Sequence, residues 1–511
     1  MKPQIINSVN RDGKIDLQIE FLDYSLFQNA LTSYKTILTL TDSTGLAKDS
    51  TSIIIPYSTI NGINWITLLF GSGYTFGNLI IDNPEIRIKN FIYPENQMQK
   101  NNSPGNTVKS SSIAQQITNI LPDELNPLKI SKIVINSANL IKIIQDENKT
   151  VDSVKNISIS ISDLNLNKDF NYKDDENSII GNYEIRIKEF HQKMSGPGYD
   201  LKISSITASG NSSELKIKEL IFQPYISDEE FFKGDKYRRD RWIAKIPEIT
   251  VHQTDLIKFL NENIISISSL NIPNFRIEIF TNRRLPIDPA SNPEMPHEIM
   301  SSLSFGIEIG KFQTDNSLII LESVMPNVER RAHLEFTNVN ALIHNISNTQ
   351  RKQTKDNPYI ITASGNLQGE GKINIKLNYP LLSEQLNFNY KGSLGEMDAK
   401  LFNSHLEVED KTHIESGKIV QATFSSEVRN GIAFVNIIPI YNNLKLKILD
   451  EESTEMRGLA TLLINAKIRE SNPDEEGKIK SANINYKRKP SDTFLDVILL
   501  ALLKGLGEVG F

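Results

Sequence analysis

The sequence predicts a mainly β protein. The expected form is an elongated, curved antiparallel sheet, groove-like or taco-like, built from repeated hairpins with a few short helices. Three observations predict it: long two-residue alternation, few helical patterns, and a recurring strand–turn–strand pattern. Ile15, Leu17, Ile19 and Phe21 alternate with Asp16, Gln18 and Glu20. Ile157, Ile159 and Ile161 alternate with serines, Ile373, Ile375 and Leu377 with Asn374 and Lys376, and Leu444, Leu446 and Ile448 with Lys445 and Lys447. Such a period places the apolar side chains on one face of a strand and leaves the other face to water. The frequent isoleucine is β-branched and packs well on a pleated surface.

The recurring pattern starts at Phe76, Ile130 and Ile267. Each copy puts apolar residues at its first, fourth and sixth positions, then a polar turn and an alternating pair: Ile86 and Ile88, Leu140 and its successors, Ile277 and Ile279. The spacing between copies is irregular, so the pattern predicts a recurring hairpin and not a strict solenoid. Helices are expected near 3–10 (ended by Gly13), 111–120, 253–260 and at the C-terminus. Loops are expected at 95–105, rich in Asn, Gln and Pro; at 228–241, where both charges mix; and at 282–297, with Pro286, Pro289, Pro293 and Pro296. The expected regions are 1–225, hairpin repeats; 226–355, a middle β region; and 356–511, a C-terminal β region with a terminal apolar helix.

The chain of 511 residues is 39% hydrophobic, or about 44% with its 26 glycines, and 23% charged, close to the roughly 45–50% apolar and 25% charged of a packed globular protein. Its 56 basic and 62 acidic residues give a net charge of -6, which argues against nucleic acid as a partner. With no cysteine there is no disulfide, thiol nucleophile or Cys-ligated metal within the chain. The N-terminus lacks the apolar stretch of a signal peptide, and no run reaches the roughly 20 apolar residues of a membrane span. The most apolar segment is 494–503. Ser491 is its expected N-cap, and Gly505 and Gly507 are expected to end the helix. It is apolar almost all round, so Phe494, Leu495, Ile498, Leu499 and Leu502 are expected in the core or against a partner or membrane interface.

No catalytic constellation can be assembled. The run 71–77, Gly-Ser-Gly-Tyr-Thr-Phe-Gly, has Phe where a dinucleotide fingerprint needs its third Gly, and a strand pattern follows where that fingerprint needs a helix. Gly371-Lys372 and Gly417-Lys418 are followed by Ile, not by the Ser or Thr of a phosphate loop. The seven histidines are scattered and lack helical zinc spacing. His297-Glu298 opens like a metalloprotease motif without its second His, and Asp174-Asp175-Glu176 lacks the Gly and closing Glu of a calcium loop. The basic aromatic run 236–242 could grip phosphate, but Asp228, Glu229, Glu230 and Asp235 nearly cancel it. No cofactor and no metal is expected.

The C-terminal third carries a family resemblance. Gly392-Ser393-Leu394-Gly395-Glu396-Met397-Asp398-Ala399-Lys400-Leu401-Phe402-Asn403 is followed by 414–419, 422–424, 440–446 and the apolar segment ending in Leu503-Lys504-Gly505-Leu506. This order resembles the C-terminal region of AsmA-like proteins of Gram-negative envelopes, in the Bacteroidetes-type form rich in Ile, Asn and Lys. The segment 215–224 and the stretch 277–280 fit it as well. The resemblance implies a β-groove that binds or conducts phospholipid or another envelope lipid in support of outer-membrane homeostasis. It also implies a periplasmic body, held to the inner membrane by an upstream anchor that this sequence does not contain, and possible contacts with other envelope proteins. It supplies no catalytic residues. Ile86, Ile88, Leu140, Ile277 and Ile279 are the candidate groove residues. A trough of such residues would bury acyl chains at about 0.8 kcal/mol per methylene. Two other readings are a β-rich scaffold of the envelope, and a carbohydrate-active enzyme with two carboxylates brought about 5–10 Å apart in space.

Overall fold

The structure, a computed structural model, describes residues 3, 6, 15–41, 50–64, 73–89, 112–120, 126–144, 149–172, 178–194, 198–349, 358–449 and 469–510. The expected loop at 95–105, residues 71–72 of the glycine run and the acidic run 174–176 lie outside these. Of the expected N-terminal helix only Pro3 and Ile6 are described, and both are helical. The described chain is mainly β, with 22 strands and a few short helices. It divides into two compact units, Met1–Leu220 with Thr250–Ser266, and Ile221–Ile249 with Ile267–Phe511. Strands β15 (Ala332–Ser347) and β16 (Tyr359–Leu367) pair antiparallel within the second unit.

The recurring pattern is not a hairpin. Strands β4 (Tyr74–Asp82) and β5 (Glu85–Lys89) do not pair with each other. Both lie antiparallel to β3 (Ser50–Asn61), with Tyr57 opposite Asp82 and Ile53 opposite Ile86. Both lie parallel to β6 (Leu128–Ile144), with Ile80 opposite Val134 and Ile86 opposite Leu140. They are one strand line, kinked at Asn83, whose φ is 51°. The second copy, β6, is kinked at Ser137 (φ 52°). The third is the line of β12 (Ile264–Asn271) and β13 (Arg276–Asn282), kinked at Asn274 (φ 55°). The kink falls at the eighth residue of every copy, where a short polar side chain tolerates the left-handed backbone. In β6 the register against β7 shifts between Ile135 and Ala138 and again between Ala138 and Leu140, the kind of irregularity that bends a strand and increases its twist.

The same arrangement occurs in both units. The β12 and β13 line pairs with β14 (Gly306–Val324), and β13 is parallel to it. Strand β14 has its own kink at Asn316 (φ 49°). On the far side of β6 and of β14, the partner strands β7 (Lys149–Leu166) and β15 are kinked at Asn156 (φ 51°) and Asn338 (φ 49°). A parallel pair needs a crossover of a dozen or more residues. The first crossover carries helix α1 (Ile113–Ile120). A short helix, α2 (Asp228–Phe231), and α3 (Leu256–Glu262) come between, and the second crossover carries α4 (Pro296–Ser302). The mainly β fold is as expected; the described pairings of its sheet are mostly antiparallel, and the parallel pairs β4 with β6, β5 with β6 and β13 with β14 make it mixed. In place of a loop through residue 297, α4 begins with Pro296 in its first turn, where the missing N–H has no helical partner to lose.

Each unit has its own core. In the first, α1 and α3 close over Leu166, Tyr172, Ile179, Ile180 and Tyr183. Ser112 caps α1 by accepting from Gln115 N at 3.1 Å, and Asp255 caps α3 by accepting from Lys258 N at 2.8 Å. In the second unit the C-terminal helix α6 (Phe494–Gly510) lies on one face of β17 (Gly371–Tyr379), β18 (Phe388–Leu394), β20 (Thr412–Arg429), β21 (Ile432–Ile448) and β22 (Ala482–Lys487). Thr493, not Ser491, caps it: Thr493 Oγ1 accepts from Asp496 N at 3.2 Å, and Asp496 Oδ2 accepts from Thr493 N at 2.9 Å. Gly505 does not end the helix. A Cβ there would stand 2.7 Å from Ile437 Cγ2, so the glycine lets the helix approach the sheet. The phenyl ring of Phe494 packs edge-on to Tyr379 at 5.5 Å and against Phe388 at 5.0 Å.

Candidate functional site

Directly opposed residues on neighbouring strands point to the same face. Register therefore decides whether scattered apolar residues form a surface. In the first unit it does so for Ile86 and Leu140. Leu17 of β1 (Ile15–Ser25) opposes Leu38 of β2 (Ala30–Thr41), and Leu38 opposes Ile53. Ile53 opposes Ile86, and Ile86 opposes Leu140. Leu140 opposes Val154, Val154 opposes Phe190 of β8 (Asn182–Met194), and Phe190 opposes Ile203 of β9 (Tyr199–Ser209). Eight strands thus contribute one unbroken apolar row. All its members are half-buried except Ile203, which is buried. Among the described residues, no helix belongs to a core cluster containing any member of this row. At about 4.8 Å between strands, the seven intervals span roughly 34 Å. Ile88 stands one pleat further along, opposite Thr51 and Lys142, so it borders the row on its polar side.

Ile277 and Ile279 occupy in the second unit the positions that Ile86 and Ile88 occupy in the first. Ile277 opposes Ala244 of β11 (Asp240–His252) and Ile319, which in turn opposes Phe336, Leu367 and Gly371 in succession. Ile279 opposes Trp242 and Leu321, and Leu321 opposes Leu334. This row is closed at its end. A Cβ on Gly371 would meet Met397 Sδ at 2.5 Å, and the 3-10 turn Ala399–Phe402 and helix α5 (Asn403–Glu409) follow directly. Gln368 Nε2 ties them down, donating to Leu401 O at 2.9 Å and Ser404 Oγ at 2.8 Å.

The five candidate residues of the C-terminal helix divide. Phe494, Ile498 and Leu502 enter or pack on the core, together with fully buried Val497 and Ala501. Leu495 and Leu499 face outward, 62% and 47% exposed, in line with Leu503.

The opposite face of the second unit has a different chemistry, which the sequence reading missed. An open depression of about 860 Å³ lies there, adjoining another of about 760 Å³. Both are lined by Lys376, Lys391, Ser425 and Asn436. The signal of this face in the sequence is the polar half of the strand alternation, which alternation alone assigns to solvent.

Titratable groups collect around α5. Burial first, and then the neighbouring Glu409 carboxylate, push the Asp410 carboxyl up to about 7. Glu409 bonds Ser323 Oγ and pairs with Arg283 at 2.9 Å. Hydrogen bonding from His413 and Arg330 holds Glu407 below the usual carboxylate range, against the effect of burial. This cluster ties α5 to β14 and β15 and lines neither depression. His297 is buried, its Nδ1 2.6 Å from Tyr379 Oη, and burial lowers its pKa. The charged run 236–242 is held by its upstream acids: Arg239 to Asp235 at 2.6 Å and Arg241 to Asp228 at 3.0 Å. Among the described residues no group of three or more His, Asp or Glu is arranged to hold a metal, and no helix is long and apolar enough to cross a membrane. Comparison of the sequence with family models and with curated proteins finds no match.

Proposed function

We propose that the protein is a non-enzymatic lipid-binding protein whose first unit holds acyl chains along the row from Leu17 to Ile203. The observation that carries this reading is the register itself: eight strands each present an apolar side chain in one line, with no described helix packed in a core with it. One acyl chain spans about half of the roughly 30 Å hydrocarbon core of a bilayer. The row is therefore long enough for one chain or for two end to end. The polar border at Lys142 suits a head group that stays in water. The resemblance of the C-terminal third to AsmA-like proteins supports this reading and implies a setting in the Gram-negative envelope, with the lipid passing between membranes.

Purification without detergent, followed by lipid extraction and mass spectrometry, tests it. Co-purifying or exchangeable phospholipid is expected, and its loss in an Ile86→Asn, Leu140→Asn double variant that still folds. A wild-type protein that neither carries nor takes up lipid would overturn the reading. The outward line of Leu495, Leu499 and Leu503 favours a second role in contacting an envelope partner.

A further inference from the structure

We propose that the polar face of the second unit is a binding site for an acidic oligosaccharide, centred on Lys376 and Lys391. The two lysines are directly opposed on β17 and β18, near the middle of the strands. Like charges in that position oppose folding. No acid offsets them: neither ammonium has an acidic oxygen within 4.0 Å among the described residues. Both side chains are exposed and both line the two adjoining depressions, so the paired charge lies in a concavity and not on a ridge. An anion seated between them would remove the repulsion and meet two donors at once.

The surroundings narrow the ligand further. The cross-strand row through the lysines reads Thr362, Lys376, Lys391, Ser425, Asn436 and Asn483. Hydroxyl and amide groups of this kind offer both donors and acceptors, which match the hydroxyls of a sugar. Phe434, 43% exposed, lines the second depression and supplies an apolar platform for a ring face. The acids at the margins are Asp315 in the first depression and Glu427 in the second, and Glu427 is paired with Arg429 at 2.6 Å. A nucleic acid would need more cations and more stacking rings than this face holds. The site lies on the opposite side of the sheet from the core under α6 and does not depend on the acyl-chain reading of the first unit.

The test is calorimetric titration of the full chain with oligogalacturonate, with maltohexaose as the neutral sugar and with phosphatidylglycerol vesicles as the lipid source of anions. Oligogalacturonate is expected to bind, weakening as salt rises. Lys376→Gln with Lys391→Gln should weaken it by at least about tenfold, the lower end for hydrogen bonds to a charged group, while Lys376→Arg with Lys391→Arg retains it. Unfolding of the glutamine variant at the same or higher denaturant concentration would confirm an intact fold. Equal affinity for maltohexaose, no effect of the glutamine substitutions, or capture of vesicles through these lysines in place of the uronate would overturn the proposal.

Discussion

If an acyl chain lies on the row through Ile86 and Leu140, its affinity must grow with its length. Complete burial of a methylene is worth about 0.8 kcal/mol. The row belongs to one face of a sheet and its side chains are half-buried, so it covers roughly one side of the chain, giving about 0.4 kcal/mol per methylene. That is about a twofold change in Kd for each methylene, and about sixteenfold between a C12 and a C16 fatty acid. The assay is calorimetric titration with fatty acids from C10 to C18, kept below their micellar concentrations. In Ile86→Asn with Leu140→Asn, two adjacent members of the row become polar where β5 meets β6, and the slope should flatten. An affinity independent of chain length in the wild type, or an unchanged slope in the double variant, would refute the reasoning.

Three further outcomes follow from packing and charge. Asp410 has its carboxyl raised to about 7, so between about 4 and 7 the folded chain keeps a proton that the unfolded chain releases. Stability therefore falls as pH rises through that window, and Asp410→Asn should gain up to about 4 kcal/mol at pH 8 with the gain vanishing near pH 4, as read by urea unfolding at a series of pH values. Gly392→Ala should destabilise by about 1–3 kcal/mol in the same assay, because its Cβ would collide with Asn374 O and the Phe424 ring. On the C-terminal helix, Ile498→Ala should cost about 2–5 kcal/mol, whereas Leu495→Ser should change stability by no more than about 0.5 kcal/mol.

Much of the strand content was legible because alternation is a local signal. Ile15 to Phe21 and Ile373 to Leu377 are strands, and the helices near 111–120 and 253–260 appear as α1 and α3. The mistakes came from non-local facts. The repeat at Phe76 looks like a hairpin because Asn-Pro reads as a turn, but Asn83 only kinks a strand line that stays paired with β3 and β6 on both sides of it. Nothing in a single strand announces that its partner is parallel. Pro293 and Pro296 argue against a helix by composition, yet one of them occupies the first turn that proline tolerates. Lys376 and Lys391 are unremarkable in sequence, since 14 residues separate them, and only the register opposes them.

The duplicated arrangement also bears on which unit is suited to hydrocarbon. Ile86 and Ile277, and Leu140 and Ile319, stand at matching places relative to a parallel strand pair, so the two units begin from the same apolar row. They part where the row continues. In the first unit it runs on through Val154, Phe190 and Ile203. In the second it reaches Phe336 and Leu367 and stops at Gly371, where Met397 takes the space a side chain would fill. Further along the same face of that sheet, α6 packs on Leu377, Tyr390 and Ile437. A hydrocarbon chain laid there would have to displace protein side chains that already bury the same surface, and the exchange would gain little. The second unit has covered much of its apolar face and left its lysine-bearing face open. One sheet architecture can thus present hydrocarbon in one unit and a cationic, hydrogen-bonding surface in the other, because alternate residues of every strand face opposite ways.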